Sequence, residues 1–125
     1  MKFNWSMFTE TDYNKYMEKR IAKVFDCHDY IGAVHIGDIS IDLIDCGEEN
    51  LLNYDFYVAH EDSGYGYKNG RIPYDYADGG SMNIPYDLSY NEFKAKAESL
   101  FMEYIKTYKG NYSLAEHANR PLEMW

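Results

Sequence analysis

Carboxylates are the reactive groups this chain supplies in quantity, and they are unevenly placed. Between Asp26 and Glu92 there are 14 acidic residues against Lys68 and Arg71 alone, while the segments on either side carry +2 and +1 of a chain total of −9. Acidic side chains at this density can ligate a cation, act as a general acid–base pair, or present an anionic surface to a cationic partner. Ligation is expected to fail on spacing. Asp42, Asp45, Glu48, Glu49 and Asn50 lack the alternating donors and mid-loop glycine of an EF-hand. Cys27, His28, His35, Cys46 and His60 match no CxxC or HxxxH pattern, so neither a metal nor another cofactor is expected. A nucleophile needs a base within reach and a group to orient that base. Cys27, His60 and an aspartate can be assembled on paper, as random sets can in any chain with four histidines, and Cys27 reads more simply as a small buried apolar residue. Residues 64–70, Gly-Tyr-Gly-Tyr-Lys-Asn-Gly, lack the Gly-Lys-Ser/Thr ending and the following helix of a phosphate loop.

The anionic surface is what remains. Residues on one face of a strand recur at ~6.6 Å, twice the rise per residue, and a nucleic-acid strand carries one charge per ~3.4 Å of duplex axis. Asp38, Asp42 and Asp55 on strands, with Asp45, Glu48 and Glu49 at the sheet end, are expected to form one contiguous anionic patch. Glu61, Asp62, Asp75 and Asp78 widen it, and Tyr57 and Tyr74 add rigid contact area at low entropic cost. The competing reading is an acidic face kept only for solubility.

A sheet is needed to position these groups, and the period-2 pattern supplies one. Residues 30–36 are β-prone, Gly37-Asp38 is a two-residue hairpin turn, and Ile39, Ile41 and Leu43 alternate with polar residues. Leu52, Tyr54, Phe56 and Val58 repeat the alternation in a third strand. Ahead of them, Tyr13, Tyr16, Met17, Ile21, Val24 and Phe25 form one apolar stripe of a helix over residues 12–25, capped by Thr9 or Thr11, with Lys15, Lys19, Arg20 and Lys23 on its solvated face. Residues 60–89 read as a long Gly/Tyr-rich loop. Asn69-Gly70 signals a small ribbon that pairs residues 65–68 with 71–74. Ser89 and Glu92 form a capping box for a helix to residue 109, closed by Gly110. Ser113 and Glu116 open a short last helix, and Trp125 is expected to dock on the body.

The whole is one domain over residues 1–125. It is an α+β fold with a three- to five-stranded antiparallel sheet, an N-terminal helix, a long C-terminal helix and a short terminal helix. Its 46% hydrophobic and 18% aromatic content is that of a chain with a core, not a disordered acidic tail. No apolar run approaches the ~20 residues of a bilayer span, and the start lacks a secretory signal, so a cytoplasmic location is expected. Cys27 and Cys46 fit a reducing compartment or one bridge. Net negative charge argues against direct binding of nucleic acid or an anionic membrane.

In size, acidity over residues 38–87 and element order, the chain resembles small phage-encoded anti-CRISPR and anti-restriction proteins, which block a nuclease where DNA would bind. That resemblance implies a non-enzymatic inhibitor in the host cytoplasm, monomeric or weakly dimeric. Its acidic sheet and loop surface would occupy the nucleic-acid groove of a basic nuclease effector, with Asp42, Asp45, Glu48, Glu49 and Asp55 facing the groove's Lys and Arg. The order also resembles double-stranded RNA-binding domains, but Lys94, Lys96, Lys106 and Lys109 are countered by Glu92, Glu98 and Glu103. The alternative from another class is a small enzyme or ligand-binding domain with a pocket under the loops of residues 60–90.

Overall fold

Capping chemistry sets where the helices begin. Thr9 accepts from the Asp12 amide while the Asp12 carboxylate takes the Thr9 amide at 2.8 Å, so α1 runs Glu10–Ile21. The expected continuation of the helix beyond Ile21 does not form over residues 22–24, and Phe25 lies outside the described residues. Lys23 turns to a left-handed φ of 59°, and its amide and that of Val24 return to the Arg20 and Lys19 carbonyls, a Schellman stop without glycine. Ile21 and Val24 are consequently exposed rather than part of the stripe. Ser89 and Glu92 close a reciprocal box on α2, Tyr90–Thr107. Its C-cap is Tyr108 in extended backbone rather than Gly110, which lets the Tyr108 hydroxyl reach the Ala77 carbonyl at 3.2 Å. A short α3, Leu114–Ala118, follows the Ser113 cap.

This computed structural model describes residues 2–24, 27–59 and 74–120. The expected ribbon lies outside them except for Tyr74, and the expected docking of Trp125 lies outside them altogether. Between α1 and α2 runs an antiparallel sheet of β1 (Cys27–Ile36), β2 (Ile39–Cys46), β3 (Leu51–Ala59) and β4 (Tyr74–Asn83), in the spatial order β1-β2-β3-β4. The architecture is α+β. β4 corrects the expectation of a long loop over residues 60–89, since its ten residues pair with β3 from Leu51↔Asn83 to Ala59↔Tyr74. Glycine makes that pairing possible. A Cβ at Gly79 would lie 2.4 Å from the Asp55 carboxylate, and one at Gly80 would lie 2.6 Å from the Tyr54 hydroxyl.

Among the described residues the three helices send their apolar side chains into one core with the inward row of the sheet. Val34, Ile36, Ile39, Ile41, Leu43, Leu52, Tyr54, Phe56 and Val58 meet Tyr13, Tyr16 and Met17 of α1, Phe93, Ala97, Phe101 and Ile105 of α2, and Leu114 and Ala118 of α3. Rings dominate this core. Phe56 stacks on Tyr104 at 4.7 Å and Tyr13 on Phe93 at 4.9 Å. The free edge of β1 is covered by the N-terminal segment, where Asn4 exchanges both backbone hydrogen bonds with His35.

Arg20, expected on the solvated face of α1, is instead 1% exposed. Its guanidinium donates to the Glu49 carbonyl at 2.8 and 3.1 Å and to the Ile84 carbonyl at 2.5 Å, with the Tyr86 ring 4.4 Å away. One side chain thereby ties α1 to both the β2–β3 loop and the β4–α2 connection. Truncation removes the planar donor set and leaves the buried Ile84 carbonyl and the part-buried Glu49 carbonyl without it. Arg20→Ala is therefore expected to lose about 3 kcal/mol of unfolding free energy, on the scale of broken buried charge networks. Arg20→Lys should restore less than half, because one ammonium cannot satisfy both carbonyls; guanidinium denaturation midpoints check both.

Candidate functional site

Strand parity and the one-sided helices sort the predicted site residues into two groups. Facing away from the helices are Asp42, Asp55, Tyr57 and Tyr74, together with His35, Ser40 and Tyr76, as fixed by the rungs His35↔Ser40↔Tyr57↔Tyr76 and Ala33↔Asp42↔Asp55↔Gly79. Asp42 and Asp55 are direct cross-strand partners. Facing the helices are Asp45, Asp75 and Asp78, opposite Leu52, Val58 and Phe56.

The remaining members lie at the ends of the sheet. Asp38, in the β1–β2 turn, is 2% exposed and holds His117 Nδ1 at 2.7 Å, with Arg120 at 3.9 Å. The turn docks on α3 because Gly37 has a φ of 58° and no Cβ, which would otherwise strike the His117 and Ala118 carbonyls. Burial pushes the Asp38 carboxyl up, against the lowering by its His117 bond. Asp45 is 3% exposed and accepts the Gly47 amide at 3.0 Å. Glu48 and Glu49 are exposed on the β2–β3 loop, but the Glu49 carboxylate is taken by Lys23 and by the Tyr86 hydroxyl, and both hold its pKa down. Asp78 accepts the Tyr104 hydroxyl of α2. Glu61 and Asp62 lie outside the described residues. The single strip expected from the sequence is thus broken up: Asp38 and Asp45 belong to the interior, and Asp75 and Asp78 belong to the other face.

What the sheet does bring together is a carboxylate pair set among tyrosines. Both Asp42 and Asp55 are partly buried, and burial raises both carboxyls above the ordinary range. For Asp42 the charge of Asp55 raises it further, while a bond from Ser40 Oγ at 3.3 Å opposes the shift. Among the described residues no lysine or arginine pairs with either. Tyr57 and Tyr76 meet edge-on at 5.6 Å beside the pair, and Tyr76 and Tyr30 are about half exposed, at 54% and 50%. Like charges placed directly opposite across strands are unfavourable, and carboxylates framed by aromatic rings suit a bound cation. Among the described residues no cluster of His, Cys, Asp and Glu is placed to hold a metal, and no helix is long and apolar enough to cross a membrane.

No family model, curated protein or solved structure matches this chain. The pocket expected under residues 60–90 falls largely outside the described residues. An open groove of about 480 Å³ runs along α2 instead, lined by Lys96, Leu100, Glu103 and Tyr104 among others. Sequence reasoning missed Tyr76, because β4 was read as loop, and Ser40, whose shared parity with Asp42 was visible.

The opposed pair sets a pH dependence of known sign. A carboxyl whose folded pKa is raised adds stability below its unfolded value near 3.8, and that stability is lost as pH rises through the folded value. The pair therefore weakens the fold at neutral pH. Asp55→Asn is expected to raise the unfolding free energy at pH 7 by ~0.5 kcal/mol, the scale of one cross-strand pair. The gain over wild type should shrink as pH falls toward the ordinary carboxylate range, as urea denaturation at a series of pH values would read out.

Proposed function

We propose that this chain is a non-enzymatic binding protein whose helix-free sheet face takes a cationic patch of a protein partner. The nucleic-acid groove of a basic effector, such as a CRISPR or restriction nuclease, is the class of surface it would occupy. The observation that carries this reading is the Asp42–Asp55 rung, two carboxylates opposed on a face with tyrosines around them and no described cation to neutralise them. An incoming guanidinium or ammonium would relieve that repulsion, so binding energy and stability pull in opposite directions at this site. The extent of the face favours recognition of one or a few basic side chains over imitation of a long phosphate line. Asp38 and Asp45 are interior, and Glu49 already has its lysine.

Hexa-arginine peptide is a direct probe. Asp42→Asn/Asp55→Asn should weaken its binding about tenfold, the scale of a lost charge-assisted contact. Glu48→Gln/Glu103→Gln, which changes net charge equally on other surfaces, should weaken it less than about twofold, as general screening would. Equal losses in the two double variants, read by calorimetry at one salt concentration, would defeat the reading.

A further inference from the structure

Backbone alternation fixes which groups of β4 turn away from the sheet. Among the described residues no strand lies beyond β4. The Ile84 amide donates to the Asn50 carbonyl at 2.9 Å. Alternate residues of an antiparallel strand turn amide and carbonyl to the same side, so Met82 and Gly80 bond to β3 while Asn83, Ser81 and Gly79 turn theirs outward. The register is unbroken from Leu51↔Asn83 to Phe56↔Asp78, and its shift comes only between Phe56 and Tyr57. Side chains blunt both ends of this edge. Lys96 Nζ donates to the Asn83 carbonyl at 2.6 Å, the Tyr108 hydroxyl to the Ala77 carbonyl at 3.2 Å, and the Asp78 carboxylate takes the Gly79 amide at 2.9 Å. Between them the Ser81 amide and carbonyl and the Gly79 carbonyl are outward-turned groups that no described side chain takes, and Ser81 is exposed.

Gly79 joins this edge to the acidic face. It stands directly opposite Asp55, and a Cβ there would strike the Asp55 carboxylate oxygen and lie 3.0 Å from the Tyr76 hydroxyl. The carboxylate therefore leans over Gly79 toward the rim, and Gly79 has no side chain to stand between it and a neighbouring strand. Glycine inside a strand marks such points of close approach. A strand added to β4 lies ~4.8 Å further out, and its residue opposite Gly79 presents its side chain to the same outer face. Lysine or arginine at that position reaches the Asp55 carboxylate, with the charge of Asp42 one strand behind. A second copy of the chain is disfavoured, because it brings another −9 and the same acidic edge.

We propose that the outer edge of β4 captures an extended basic segment of the protein partner as an added antiparallel strand, with a lysine or arginine opposite Gly79 paired to Asp55. This rests on the reading of the outer face as a cation-binding surface and states how the cation is delivered. Main-chain bonds at Ser81 and Gly79 hold the segment, and the charge pair selects its side chain.

The probe is the acetylated and amidated heptapeptide Thr-Val-Thr-Val-Arg-Val-Thr, compared with an analogue N-methylated at the arginine and at the threonine two residues before it, which lie opposite Gly79 and Ser81. Titration into isotope-labelled full chain should shift the Ser81 amide resonance. N-methylation removes two donors and keeps the charge, so it should weaken binding about tenfold. Ser81→Pro, tolerated where the amide faces outward, should weaken the plain heptapeptide and leave hexa-arginine binding within about twofold of wild type. Asp42→Asn/Asp55→Asn should weaken both probes. An unshifted Ser81 amide, or equal affinities for the plain and N-methylated peptides while that double variant still weakens hexa-arginine, would overturn strand addition and leave the cation-binding face standing. A double variant that spares both probes would overturn the face reading and this proposal with it. Dimerisation of the chain that is lost in Ser81→Pro would assign the edge to a second copy and overturn the proposal.

Discussion

A sheet with its described helices on one side must find a place for each acidic residue according to which way its strand position points. An inward carboxylate needs a hydrogen-bond partner or a way to the rim, because burying a bare charge is prohibitive. The fold provides these: Asp45 accepts a backbone amide, and Asp78 takes the Tyr104 hydroxyl. On the outward side Asp42 and Asp55 are only partly buried and stand opposite one another, with Ser40 bonded to Asp42. The distribution of charge over the molecule follows from that sorting more than from the count of acids in the sequence.

The two ends of the sheet are fastened by groups drawn from distant parts of the chain. At one end Arg20 of α1 gathers the carbonyls of Glu49 and Ile84, and at the other His117 of α3 meets Asp38. Each brings a polar partner to a position where the chain would otherwise bury unsatisfied groups. With both ends held and the core packed by stacked and edge-on rings, the outer face is carried on a rigid support. That suits binding, where a preorganised surface loses less entropy on association.

Local signals were legible in the sequence wherever the cause was local. The Ser89–Glu92 box, the Gly37-Asp38 turn and the alternation of β2 and β3 each depend on neighbours a few residues away, and each is found in the fold. β4 was not legible, since Asp75, Asp78, Gly79 and Gly80 are poor strand formers. They are held as a strand by β3, and the glycines are needed there because Asp55 and Tyr54 lie over them. Arg20 read as a solvated cation because its acceptors are carbonyls 29 and 64 residues away. Asp38 read as surface because its partner is 79 residues away. Of the candidate site, the shared face of Asp42 and Asp55 was visible from parity, but their direct opposition required the register.

The account rests on two half-buried carboxylates opposing each other on the sheet face away from the described helices, with no lysine or arginine among the described residues paired to either. Carbon-detected NMR titration of the Asp42 and Asp55 carboxyls measures that directly. Both should titrate above the ordinary aspartate range, and Asp55→Asn should move Asp42 back toward it, since the charge of Asp55 contributes to the shift. Titration of both at or below the ordinary range, with Asp42 indifferent to the loss of Asp55, would contradict the account.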